Sequence, residues 1–242
     1  MNLNRATSIT YLGHSTVLLE TPGGKRILID PWTTGNPACP PQWKNAASLG
    51  SLDVILVTHI HSDHVGDAQT IIAANPQAEV VGIFEACNWL QTKGAESLRP
   101  MSKGGTQTIA GIEITMTEAI HSSSFTESDG TVVYGGEPAG YILRLENGFT
   151  LYAAGDTGLF GDMAILRHLY RPDLALLPIG DLFTMGPVQA AHAIRLLQVR
   201  HVVPIHYGTF PALTGTPEAL RNLTLDITGL VIHALKPGET LV

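Results

Sequence analysis

The sequence predicts an α/β protein in which two β-sheets are sandwiched between helices. Three observations predict it. Short apolar strands punctuated by glycine run the length of the chain, helical segments alternate with strands in the first and last thirds, and the middle third is almost all strand and turn. Residues 7–12 and 16–20 form a first pair, and Pro22-Gly23-Gly24 turns the chain into 26–30. Residues 54–58 are an uninterrupted apolar run, as in a strand buried on both faces. A helix over 65–74 stops before Asn75-Pro76, and strand 79–84 leads into helix 85–93. Strands follow at 107–110, 112–117 and 132–134, and 141–145 and 150–154 flank the hairpin signal Glu146-Asn147-Gly148. The last third reads strand 174–177, helix 187–198, strand 201–204, helix 217–226 and strand 230–234. The long aperiodic stretch is 31–51, with Asn36-Pro37, Cys39-Pro40-Pro41 and Trp43, as in a functional loop.

Composition excludes several function classes. The 242 residues suffice for one large domain, and 44% of them are hydrophobic. Charged residues are 14%, against about 25% in an ordinary soluble domain, which argues against disorder. A net charge of -7 gives nucleic acid or an anionic membrane no global electrostatic support. No apolar run approaches the roughly 18 residues that a membrane helix needs. Asn2, Asn4 and His14 stand where a leader peptide would have its apolar core. Cys39 and Cys87 form no disulfide framework. A cytoplasmic protein with no nucleic-acid or membrane partner is expected. No heptad or apolar stripe declares an interface, which leaves room for a homo-oligomer.

Histidine is the excess, with ten residues against 14 Lys and Arg. Directly after the strand 54–58 stands His59-Ile60-His61-Ser62-Asp63-His64. Side chains two apart on an extended segment point the same way, so His59 and His61 can converge on one metal. Asp63 and His64 follow where the chain turns into a helix and can address a second position. Further ligands must arrive from elsewhere. His121, Asp156 (in Gly155-Asp156-Thr157) and His206 (in Ile205-His206-Tyr207-Gly208) each stand just past a strand, at the edge where α/β folds place their sites.

In this order of motifs the chain resembles the metallo-β-lactamase superfamily. Asp30, in Ile29-Asp30-Pro31, matches the aspartate that supports the metal loop from behind its ligands. More narrowly, Leu12-Gly13-His14-Ser15-Thr16, Asn36-Pro37, Phe183-Thr184-Met185-Gly186-Pro187 and His206-Tyr207-Gly208-Thr209-Phe210 are similar to its small metal-dependent hydrolase branch, which is related to the lactonase-like members. The resemblance implies a four-layer αββα sandwich forming a single domain over 1–242. It implies two divalent metal ions, zinc first, with manganese or iron as alternatives. His59, His61 and His121 would hold the first, and Asp63, His64 and His206 the second. Asp156 would bridge them, since a carboxylate has two oxygens to share and a neutral imidazole binds through one nitrogen.

The implied activity is hydrolysis of an ester, lactone, amide or phosphodiester bond of a small-molecule substrate by a metal-bound hydroxide. Asp63 would orient the water or pass a proton to the leaving group. His14, in a Gly-His-Ser turn, would contact substrate or stabilise an oxyanion. A diiron-type redox enzyme and a non-catalytic metal-binding protein of the same fold are the alternatives. The diiron reductases usually carry glutamate where this chain has His61. His192 is expected to be partly buried beside Val188 and Leu196, and His168, His201 and His233 to be structural. Trp32, Phe125, Phe183, Met185, Tyr207 and Phe210 flank the metal motifs as pocket walls or core. The stretches 31–51 and 183–187 are expected to select the substrate.

Overall fold

Three antiparallel strands open the fold: β1 (Ser8–Gly13), β2 (Thr16–Glu20) and β3 (Arg26–Ile29). The structure, a computed structural model, describes residues 7–242. Residues 1–6, part of the single domain expected over 1–242 and site of Asn2 and Asn4, lie outside the described residues. From β3 the sheet turns parallel through β4 (Val54–Leu56), β5 (Glu79–Ile83) and β6 (Leu98–Met101). Between these strands lie α1 (Ser62–Val65), α2 (Ala68–Ala74) and α3 (Phe84–Thr92). The middle of the chain supplies β7 (Thr106–Ile109), β8 (Ile112–Glu118), a separate ribbon of β9 (Ser124–Thr126) and β10 (Val132–Tyr134), then β11 (Ala139–Arg144) and β12 (Thr150–Ala153). Helices α4 (Met163–Tyr170), α5 (Pro187–Leu197) and α6 (Pro217–Asn222) then alternate with β13 (Leu174–Pro178), β14 (His201–Ile205) and β15 (Val231–Ile232). Finally β16 (Thr240–Leu241) returns to pair with β1.

The result is two seven-stranded mixed sheets, ordered β16-β1-β2-β3-β4-β5-β6 and β15-β14-β13-β12-β11-β8-β7. The alternation of the second sheet explains the layers. Tyr141, Leu143, Leu151, Ala153, Leu174 and Leu176 join the cluster between the sheets. Their neighbours Ile142, Tyr152, Ala175 and Leu177 join a second cluster with α4, α5 and α6. A strand apolar at every position is what burial between a sheet and a helical layer demands. This is the expected αββα sandwich. The Tyr141 hydroxyl ties the two sheets by donating to the Val57 carbonyl at 2.7 Å.

Several local expectations are corrected. Strands β6, β9 and β16 and the turn of α1 were not foreseen, α6 ends at Asn222 and β15 spans only Val231–Ile232. The stretch 31–51 is folded, with 3-10 turns at Pro41–Trp43 and Ala46–Leu49. Asp67 accepts from the backbone of Thr33 and Gly35, and the Asn36 amide donates to the Gly13 carbonyl. His192 is exposed rather than partly buried, because α5 turns Ala190, Ala191, Ala193, Ile194 and Leu197 inward and leaves Val188 outside. His168 is also exposed, while His201 and His233 are half-buried and face each other at 3.1 Å.

Candidate metal centre

Asp30 ends β3 in a left-handed conformation (φ 52) that turns its carboxylate under the next loop. Its Oδ1 accepts from Thr58 N at 2.9 Å, and its Oδ2 accepts from Thr58 Oγ1 at 2.9 Å and from His64 Nδ1 at 2.7 Å. These bonds settle two tautomers. The Thr58 hydroxyl spends its single proton on Asp30, so His59 Nδ1, 3.0 Å from Thr58 Oγ1, must donate to it. His59 Nε2 is then a bare lone pair. His64 likewise gives its Nδ1 proton to Asp30 and turns Nε2 toward the centre.

Two groups of donors result, with His59, His64 and Asp156 forming a third that overlaps both. In the first, His59 Nε2 lies 3.0 Å from His61 Nδ1, which lies 3.3 Å from His121 Nε2. Nitrogens sharing one tetrahedral zinc stand roughly 3.3 Å apart, given bonds of about 2.0–2.1 Å. In the second, Asp63, His64 and His206 gather around His14. Asp156 lies between the groups, its Oδ2 2.9 Å from His206 Nε2, 3.3 Å from His64 Nε2 and 3.6 Å from His121 Nε2. All the sequence-predicted ligands are therefore brought together. Buried Asp156 Oδ1 and His206 Nδ1 have no hydrogen-bond partner, an arrangement that is costly without a ligand, and His64 Nε2 meets only the Asp156 carboxylate. The donor set, imidazole with carboxylate, suits zinc, manganese or iron.

The electrostatics follow from burial and crowding. Burial pushes His59, His61 and His121 below the usual histidine range, with the nearby charge of His64 adding to it. Burial opposes charge on His64 as well, but Asp156 and Asp30 outweigh it and raise its pKa. Burial would raise Asp156, yet His64 and His206 hold it well below the carboxylate range. Neutral His59, His61 and His121 and ionised Asp156 are in the protonation states that a cation needs, whereas His64 would give up its Nε2 proton to one.

His14 occupies a different place from the one expected. It is fully buried, with Nε2 3.0 Å from Asp63 Oδ2 and Nδ1 3.0 Å from Thr209 Oγ1. Its carbonyl accepts from His206 N at 2.7 Å. Burial removes the direct substrate contact expected of it, and its reach is to Asp63 instead. Burial lowers its pKa to about 4, although the bond to Asp63 pulls the other way. A hydrogen bond from His14 holds Asp63 well below the usual range despite the opposing effect of burial.

A pocket of about 410 Å³ opens over the donors, walled further by Ser62, Ser122, Ser124, Thr126 and Phe183. Of the flanking aromatics only Phe183 lines it. Phe125 packs on Trp89, Trp32 on His14 and Phe210, and Tyr207 on Tyr11, while Met185 is core. No residue of 31–51 reaches the pocket wall. Sequence reasoning missed Thr58, Thr209 and the pocket hydroxyls. Thr58 and Thr209 do carry a signal, since each lies within three residues of a candidate ligand histidine.

Residues 25–207 match the family described as Beta-lactamase superfamily domain. A metal-dependent hydrolase of Rubrobacter xylanophilus is 52% identical over 239 residues, covering 97% of this chain and 96% of its own. One of Roseiflexus castenholzii is 48% identical, with 99% and 98% covered. Among solved structures, a metallo hydrolase from the archaeon Ignicoccus hospitalis superposes with a TM-score of 0.85 at 35% identity, covering 97% of both chains. The chain belongs to the metallo-β-lactamase superfamily. Within it, the chain is a metal-dependent hydrolase.

Proposed function

We propose that the centre is dinuclear and hydrolyses an ester, lactone, amide or phosphodiester bond of a small substrate, with residues 1–242 acting as one domain. The observation that carries the proposal is the Asp156 carboxylate, set within 3.6 Å of nitrogens from both donor groups. His59, His61 and His121 would hold one cation, and Asp63, His64 and His206 the other, with Asp156 between. Two divalent ions, zinc first, would supply Lewis acidity and acidify a water near neutral pH.

The chain's own groups do the rest. Asp63 is half-buried on the pocket wall and ionised, so it can accept a proton from the attacking water and deliver it to the leaving group. His14 fixes the orientation of Asp63 from behind, itself braced by Thr209. Asp30 and Thr58 fix the ring planes of His64 and His59. A cytoplasmic setting is part of the proposal and draws on two free, buried thiols, Cys39 and Cys87. A panel of ester, lactone, amide and phosphodiester substrates on metal-loaded protein tests the reading, with Asp63→Ala as control. Turnover by the wild type that drops by about 100-fold or more in the variant is expected. Equal rates in the two would sink it.

A further inference from the structure

The pocket wall also carries information about the substrate. Beyond the metal donors it presents hydroxyls (Ser62, Ser122, Ser124 and Thr126) and one aromatic ring, and it contains no lysine or arginine. The hydroxyls of Ser62, Ser124 and Thr126 make no side-chain hydrogen bond among the described residues, so they are free to meet a ligand.

Ser124 and Thr126 belong to the β9–β10 ribbon, where Ser124 pairs with Tyr134 and Thr126 with Val132. Directly opposed residues share a face, so this face carries two hydroxyls flanked by Tyr134 and Val132, 64% and 67% exposed. The other face is anchored, the Phe125 ring packing at a tilt on Trp89 with centroids 4.8 Å apart. Gly135 seats the ribbon on the metal loop: a Cβ there would lie 2.1 Å from Ile60 Cγ1. Phe183 forms another part of the pocket wall, beside Leu182, and the two are 59% and 65% exposed. Asp181 and Leu182 both adopt left-handed backbone (φ 69 and 58) to present them. Strain that leaves large apolar side chains in water points to a contact they are meant to make.

We infer that the substrate is an uncharged amphipathic carbonyl compound. Its reacting carbonyl would face the metal donors, its tail would rest between Phe183 and the ribbon, and its polar oxygens would take hydrogen bonds from Ser124 and Thr126. A second anionic group, carboxylate or phosphate, would meet only hydroxyls and apolar surface, a poor exchange for water. The inference rests on the hydrolytic reading of the same site. In that reaction the acyl C–O bond breaks, water giving its OH to the acyl carbon and its proton to the leaving alcohol.

The test compares 4-nitrophenyl pentanoate with mono-4-nitrophenyl glutarate, which differ only by a terminal carboxylate, on zinc-loaded protein. The pentanoate should be favoured in kcat/KM by at least about tenfold. Phe183→Ala should raise its KM, and Thr126→Arg should shift the preference toward the glutarate. Calorimetric binding of 2-octanone and 7-oxooctanoate, neither of which can be hydrolysed, gives a readout independent of turnover, with 2-octanone the tighter. Equal or reversed preference in either pair overturns the inference, and reversed preference with turnover leaves the hydrolytic reading standing. No turnover of either ester, with 2-octanone still preferred, supports this substrate class and counts against the proposed reaction.

Discussion

Asp30→Ala is the sharpest perturbation of the frame behind the metal centre. The native carboxylate accepts three bonds from buried donors: Thr58 N at 2.9 Å, Thr58 Oγ1 at 2.9 Å and His64 Nδ1 at 2.7 Å. Alanine strands all of them, and in the metal-free protein it also removes one of the two carboxylates that stabilise charged His64. Breaking a buried ion pair from one side costs on the order of 3–5 kcal/mol, and that is the loss expected in urea denaturation of metal-free protein. Loosening the His64 and His59 rings should separately weaken metal binding by about 10–100-fold, measured by competition with a chelator. Asp30→Asn keeps one acceptor but turns an amide donor toward groups that already donate, so it should fall between wild type and alanine. A loss below about 1 kcal/mol with metal affinity unchanged would refute the reasoning.

Other predictions test separate parts of the account. Gly135→Ala should cost about 1–3 kcal/mol, because its Cβ would collide with Ile60; an unchanged midpoint would mean that the ribbon does not bear on the metal loop. The pair formed by His201 and His233 lies away from the metal centre and should act on stability through pH. Burial and the charge of His201 lower His233 from 6.5 to about 4, and burial also lowers His201. The unfolded chain therefore takes up protons first, so this contribution is intact above pH 6.5 and is lost as pH falls toward about 4. Relative to His233→Gln, the wild type should lose ground over that window, and parallel profiles would contradict it.

What the sequence disclosed depended on how strongly each feature was imposed. The sheet order could not be read, but the sandwich could, because strands 141–145, 150–154 and 174–177 are apolar at almost every position. The candidate ligands were legible since His59, His121, Asp156 and His206 each follow a strand within three residues: topology converts that shared position into convergence. Strand β6 hid behind Pro100, tolerated because β6 is the sheet edge. The roles of His14 and Thr209 could not be read at all. They are 195 positions apart and meet at a 3.0 Å hydrogen bond that only the tertiary fold creates. The stretch 31–51 lacked periodicity and resembled a substrate loop, yet its polar groups are spent on capping and bracing bonds to Asp67 and Gly13.

The central claim is that one carboxylate, Asp156, joins two cation sites in a single hydrolytic centre. Elemental analysis of the purified protein and of Asp156→Ala, with hydrolysis measured on the same samples, tests it most directly. The account predicts about two divalent ions per chain in the wild type, and at most one in Asp156→Ala together with loss of turnover. A wild type that is fully active with a single ion, or an Asp156→Ala protein that retains both ions and its activity, would contradict it.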